Sequence, residues 1–241
     1  MINKNVLKWL VLIGLLILPT FIYLFFTTGK HNFVHLPYIG PRDVVEVVLE
    51  DGSKRIDTAY HTIPHFVLTD QDGNPFYSDS LKGKIYVADF FFTLCPSICP
   101  SMQYSMLRIQ KKFEGLHDFH MVSFTVDPEN DTPEALKKYG EDLGVDFSNW
   151  TFLTGSKEEI YNLAYKGYFV NALEDPGAPG GFLHSEYFVL VDKKGNLRSG
   201  VDKDERLRMV YNGTSDYEVN ELIDDIKVLL AEYRLAKKER K

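Results

Sequence analysis

Apolar positions fall along this chain in three patterns, and each predicts a different kind of element. From Trp9 to Thr28 no residue is charged, and Leu, Ile, Phe and Val dominate. A helix of that length spans roughly 30 Å, the thickness of a bilayer's hydrocarbon core. Ile85 to Phe92 is a continuous apolar run broken only by Asp89, as expected of a strand buried on both faces. Phe119 to Val126 reads as a second central strand. Between them Ile98, Met102, Met106, Ile109 and Phe113 recur at helical spacing, with Pro100 in the first turn, where a missing N–H costs little.

Polar punctuation places the remaining elements. Residues 31–60 read as a tether carrying a small hairpin: Val44 to Leu49 is β-prone, Asp51-Gly52 signals a turn, and Lys54 to Ile56 returns. His65 to Thr69 and Pro75 to Tyr77 flank a turn at Asp72-Gly73, and Trp150 to Leu153 is a short strand. Three capping boxes open helices: Asp131 to Glu134 for a helix reaching about Leu143, Ser156 to Glu159 for one reaching about Lys166, and Ser215 to Glu218 for the last. Residues 171–183 form a loop rich in Gly and Pro. Glu186 to Val191 and Asn196 to Val201 then form a hairpin across Lys193-Lys194-Gly195. This alternation predicts an α/β chain in which a mixed central sheet is flanked by helices over residues 61–236, behind an N-terminal transmembrane helix over residues 1–30.

Charge narrows the function classes. A formal net charge of -7 argues against a nucleic-acid partner. Basic residues do gather at Lys237, Lys238, Arg240 and Lys241, which reads as a solvated helix end. No small-residue cleavage site follows the first apolar run, so it is expected to stay as an anchor. Lys4, Lys8 and the N-terminal amine precede it, which favours a cytoplasmic N-terminus and an exported soluble domain. Disulfides are permitted in that compartment.

The two cysteines, Cys95 and Cys99, lie where the first apolar strand gives way to a helix. Such a pair can cycle between dithiol and disulfide or hold a soft metal ion. A regular helix holds side chains at i and i+4 about 5–6 Å apart, so Cys95 must leave helical geometry for a bridge to close. The helix N-terminus is expected to lower the thiol pKa. The pair at the opening of the first long helix suggests a thioredoxin-like arrangement. A metal held by two thiolates needs a third donor. His184 ends the Gly/Pro-rich loop, and by position alone it is either that donor or a surface residue. Asp89 either supplies a further donor, tunes the thiols, or only accepts hydrogen bonds from nearby backbone. Asp127 reads as a turn residue, and Met102 and Met106 as core.

Cys95-Pro96-Ser97-Ile98-Cys99-Pro100 resembles the C-P-x-x-C-P signature of the Sco/SenC family. Val126-Asp127-Pro128-Glu129-Asn130-Asp131-Thr132-Pro133 resembles its V-D-P-x-x-D-T-P turn, Leu183-His184-Ser185 its late histidine, and Tyr211 to Thr214 the approach to its last helix. The resemblance covers about residues 61–232. It implies a thioredoxin-like, membrane-tethered copper metallochaperone rather than an enzyme. One copper, as Cu(I) or Cu(II), would be held by Cys95, Cys99 and His184. Its acceptor would be the binuclear copper site of cytochrome c oxidase subunit II or another copper protein, and a thiol reductant protein would be a further partner. The chain departs from the family at Leu183, where an Asp often precedes the histidine. Oxidation of the cysteines, or a swing of the 171–183 loop, would release the metal. The main rival is an exported thiol–disulfide oxidoreductase of the thioredoxin-like class. Against it stand the C-x₃-C spacing and the lack of a Pro just before the strand near Glu186.

Overall fold

The computed structural model describes residues 8–9, 14–15, 17–21, 35–48, 52–174, 182–184 and 186–239. Two compact units result, residues 1–34 and 35–241. In the first, the described residues are helical, and Trp9, Leu15, Ile17, Leu18 and Phe21 are exposed. Among the described residues no helix is long and apolar enough to cross a membrane. Much of the expected span over 9–28 lies outside them.

The second unit is built on a mixed sheet. Its strands are β3 (Val67–Asp70), β4 (Pro75–Tyr77), β5 (Ile85–Phe91), β6 (Phe119–Thr125), β7 (Trp150–Thr154), β10 (Tyr187–Val191) and β11 (Leu197–Arg198), in the spatial order β11-β10-β5-β6-β7-β3-β4. A short strand β12 (Tyr211–Asn212) pairs with the start of β10. Only β5–β6 and β6–β7 are parallel. Every residue of β5 and β6 is buried, as their apolar runs predict, and so is every residue of β7.

The helices are α1 (Cys99–Lys112), α2 (Pro133–Leu143), α3 (Lys157–Asn162) and α4 (Asp216–Glu239). The pleat of β5 sends alternate side chains to opposite faces. Asp89 reaches Gln103 of α1, and Phe91 stacks on Tyr139 of α2, so these helices cover one face. Tyr86 and Phe90 point the other way and meet Tyr168, with the two tyrosine hydroxyls 3.1 Å apart. Helix α4 packs on β5 and against α1, where Arg108 donates to Asp216 and Asn220.

Several boundaries differ from expectation for identifiable reasons. The second helix is capped by Thr132, whose hydroxyl accepts from the Ala135 N–H at 3.3 Å, and not by Asp131. It stops at Gly144, whose φ of 75° suits a left-handed C-terminal cap. The third helix does cap on Ser156, but past Asn162 it widens into a π-helical turn, Leu163–Tyr168. Residues 171–183 are not all loop. Strands β8 (Ala172–Glu174) and β9 (Phe182–His184) pair antiparallel, with Ala172 opposite His184. A further hairpin, β1 (Arg42–Val48) with β2 (Lys54–Tyr60), stands largely exposed.

Residues ahead of that hairpin belong to the body of the unit. Leu36 and Ile39 are buried, and the Ile39 N–H donates to the Leu197 carbonyl at 2.9 Å. Arg198 holds them there. It is 2% exposed, donates to the Leu36 carbonyl through Nε and Nη2, and pairs with Asp192 at 3.0 Å and Glu232 at 2.9 Å. Its guanidinium also lies 4.2 Å from the centre of the Tyr38 ring. Removing one partner of a buried ion pair leaves the other charge uncompensated, at about 3–5 kcal/mol. Arg198→Met, which keeps most of the volume, is therefore expected to lower the unfolding free energy by about that much in urea titration.

Candidate metal centre

The cysteines sit where β5 runs out of backbone partners. The Val126 N–H donates to the Phe91 carbonyl at 2.8 Å, and the chain then leaves the sheet. A turn follows, in which the Cys95 N–H reaches the Phe92 carbonyl at 3.3 Å. Cys99 opens α1, with Ile98 at the cap position and no side-chain cap. Cys95 therefore lies outside the helix, which is the condition that the spacing sets for a bridge to close. No disulfide joins the two. Both are buried, Cys95 at 8% and Cys99 at 1% exposure, and the Ser97 hydroxyl lies 3.7 Å from the Cys95 sulfur.

The expectation that the helix N-terminus lowers the thiol pKa does not hold for Cys99. Burial pushes this thiol well above the ordinary range. A backbone hydrogen bond from Phe92 pulls it down, and the neighbouring Cys95 and Asp89 push it further up. Desolvation of a thiolate in an apolar core outweighs the pull of one helix end.

Asp89 lies beneath the helix that Cys99 opens. It is fully buried and accepts from the Ser123 hydroxyl, its register partner on β6, and from the Gln103 amide at 3.1 Å. Ser123 in turn accepts from the Trp150 indole at 2.8 Å. These side-chain donors, from one strand and from α1, go beyond the backbone contacts that the sequence suggested as one option. Burial raises the Asp89 carboxyl to about 7, against the pull of the Ser123 and Gln103 hydrogen bonds. The other amide atom of Gln103, Oε1, is buried without a partner.

A second buried carboxylate grips the cysteine loop from above β6. Asp131 is fully buried. It accepts from the Thr93 N–H at 3.1 Å, from the Thr93 hydroxyl, and from the Thr125 hydroxyl at 2.5 Å. Burial lifts its pKa, and those hydrogen bonds oppose the lift. Asp127 is the turn residue expected of it: its carboxylate accepts from Asn130 at 2.8 Å, and its carbonyl accepts from the Asp131 N–H at 2.9 Å. Sequence reasoning assigned Asp131 to a helix cap and missed this role. The available signal was a Thr two residues before Cys95 and a Thr at the end of β6, both short polar residues in otherwise apolar runs.

His184 ends β9, three residues before β10 begins. Because β10 runs antiparallel to β5, its start lies toward the edge where β5 ends. The His184 side chain lies outside the described residues. Among the described residues no three His, Cys, Asp or Glu gather around a common point.

The family model for SCO1/SenC matches residues 54–217. The chain belongs to the SCO1/SenC family. A SCO1 protein homolog of Bacillus subtilis is 36% identical over 178 residues, which cover 73% of this chain and 86% of that protein. BsSco, a member of the Sco family of cytochrome c oxidase assembly proteins in which a disulfide switch was identified, superposes with a TM-score of 0.58 at 35% identity, covering 70% of this chain and 93% of that one. Bradyrhizobium japonicum ScoI with copper bound superposes with a TM-score of 0.54 at 27% identity, covering 70% and 99%. The matched SCO1/SenC region takes in Cys95, Cys99, Asp89, Asp131 and His184. Two buried sulfurs at a strand–helix junction fit a soft, thiophilic ion of the kind that the copper-loaded homologue holds.

The Asp89 carboxyl supplies a pH signature for this SCO1/SenC centre. A carboxyl whose pKa is raised on folding adds stability that is complete below the unfolded value near 4 and is lost as pH rises through about 7. Asp89→Asn removes that dependence. The stability of wild type relative to Asp89→Asn is expected to fall between pH 4 and 7, by about 1.4 kcal/mol per pH unit at most. Urea unfolding of both proteins across that range measures the slope, and parallel curves would refute the assignment.

Proposed function

We propose that this chain is a membrane-anchored copper metallochaperone. In this reading it delivers copper to the binuclear site of cytochrome c oxidase subunit II, or prepares the thiols of that site. Residues 1–30 anchor it with a cytoplasmic N-terminus, and the soluble domain works on the exported side. Cys95, Cys99 and His184 hold one copper, and a thiol reductant protein restores the dithiol. The observation that carries the reading is the pair of buried cysteines that follows the end of β5 in a chain of this family. The assembly role of BsSco and the copper in the Bradyrhizobium protein support it.

Soft sulfur donors favour Cu(I), and two thiolates with one imidazole suit a three-coordinate site. Release follows from disulfide exchange. An external disulfide takes two electrons from the pair, a Cys95–Cys99 bond forms, and no thiolate remains for the ion. The disulfide switch of BsSco supports this step. It also supports the second reading, a thioredoxin-like thiol–disulfide oxidoreductase acting on the acceptor's cysteines.

Anaerobic Cu(I) titration of the reduced protein separates the two. Wild type is expected to take one tight equivalent, and Cys95→Ser and His184→Ala are each expected to bind about a hundredfold more weakly or not at all. Weak or nonstoichiometric binding in wild type refutes the chaperone and leaves the oxidoreductase. Tight binding unaffected by His184→Ala removes the histidine from the ligand set.

A further inference from the structure

We propose that Asp131 is a positioning residue for the metal centre: by clamping Thr93 it keeps the Cys95 loop closed, so that the two thiols form a site before any metal arrives. The inference deepens the copper reading and rests on it for the identity of the ligands.

The loop has a structural problem that Asp131 solves. Backbone pairing ends at Phe91, and Cys95 must still be held beside the helix that Cys99 opens. Pro96 and Pro100 offer no N–H, so the loop's capacity to bond itself into shape is reduced. Thr93 lies midway between Phe91 and Cys95, and both of its donors, N–H and hydroxyl, go to the same remote carboxylate.

That carboxylate is itself fixed from several sides. The Asp131 N–H is held by the Asp127 carbonyl at 2.9 Å. The Thr125 hydroxyl donates to Asp131 and accepts from the Asp127 N–H at 3.0 Å. Thr132, the next residue, caps α2. The clamp thus ties the loop to the end of β6 and to the start of a helix.

A role in the turn alone does not explain the arrangement. The turn is already made by Asp127, and the helix is already capped by Thr132. The Asp131 side chain does not cap the helix; it meets the turn only through the Thr125 hydroxyl, and both of its oxygens also reach across to a residue 38 positions earlier. Burying a carboxylate on neutral donors costs free energy, which is well placed only if it fixes something that matters.

The test uses the full chain, reduced, as wild type, Thr93→Val, Thr93→Ser and Asp131→Asn. Thr93→Val keeps the side-chain volume and loses the hydroxyl; Thr93→Ser retains the hydroxyl. The readouts are the rate at which iodoacetamide modifies Cys95, located by peptide mass, the Cu(I) affinity against a competing chelator, and the thermal midpoint. Thr93→Val and Asp131→Asn are expected to expose Cys95 to alkylation about tenfold faster and to bind Cu(I) about tenfold more weakly, with Thr93→Ser close to wild type. Unchanged alkylation and copper affinity in a folded Thr93→Val protein would overturn the proposal, as would a lower thermal midpoint with no change in Cys95 reactivity. If wild type takes no Cu(I), the copper reading fails, and the alkylation ratios still decide whether the clamp exists.

Discussion

Parallel pairing of β5 with β6 is the constraint on which the centre depends. Parallel neighbours run the same way, so here they finish at one edge of the sheet. The register sets Phe91 against Thr125, and the chain leaves both strands at the same place. The loop that carries Cys95 is thereby a neighbour of the turn that carries Asp127 and Asp131. The same register sets Asp89 against Ser123 beneath α1. An antiparallel β10 on the other side of β5 brings the end of the His184 hairpin toward that edge as well. Segments far apart in sequence are thus collected by one ladder of backbone hydrogen bonds.

Most of this scaffold is legible in the sequence, because its elements carry strong local signals. The runs Ile85 to Phe92 and Phe119 to Val126 are long and apolar enough to be read as buried strands, and both are fully buried. Ser156 caps a helix as its motif predicts. What local signals miss is what distant partners decide. The pairing of β8 with β9 lies inside a stretch whose Gly and Pro content reads as loop. The π-helical turn ending at Tyr168 has no signature in the helical pattern before it, and it brings the Tyr168 hydroxyl against Tyr86 in the core. Nothing in the predicted strand Asn196 to Val201 singles out Arg198. Only the fold shows it buried between Asp192, Glu232 and the Leu36 carbonyl.

The centre divides in the same way. Cys95 and Cys99 are visible because they are the two cysteines of the chain and their spacing is distinctive. Asp89 is visible because one carboxylate interrupts an apolar run. Asp131 is hidden because its surroundings offer a simpler explanation: a Thr-Pro-Glu sequence starts a helix there whether or not the preceding Asp is needed. Its partners, Thr93 and Thr125, acquire meaning only when β5 and β6 are laid side by side.

Two buried carboxylates therefore bracket the thiols, Asp89 under the helix and Asp131 over the loop. Both have pKa values raised by burial, so each costs stability in its ionised form. An apolar core of the same shape would be at least as stable, because replacing buried charge with well-packed hydrophobic groups is often neutral or favourable. A fold that places both at one end of the sheet concentrates its cost there. The Gln103 amide oxygen, buried without a partner beside Asp89, belongs to the same account. Other buried polar groups are fully met: Arg198 meets two carboxylates, and Gln110 donates to Asn149 and to a backbone carbonyl. Around the cysteines part of that cost holds a loop in one conformation where no backbone ladder holds it.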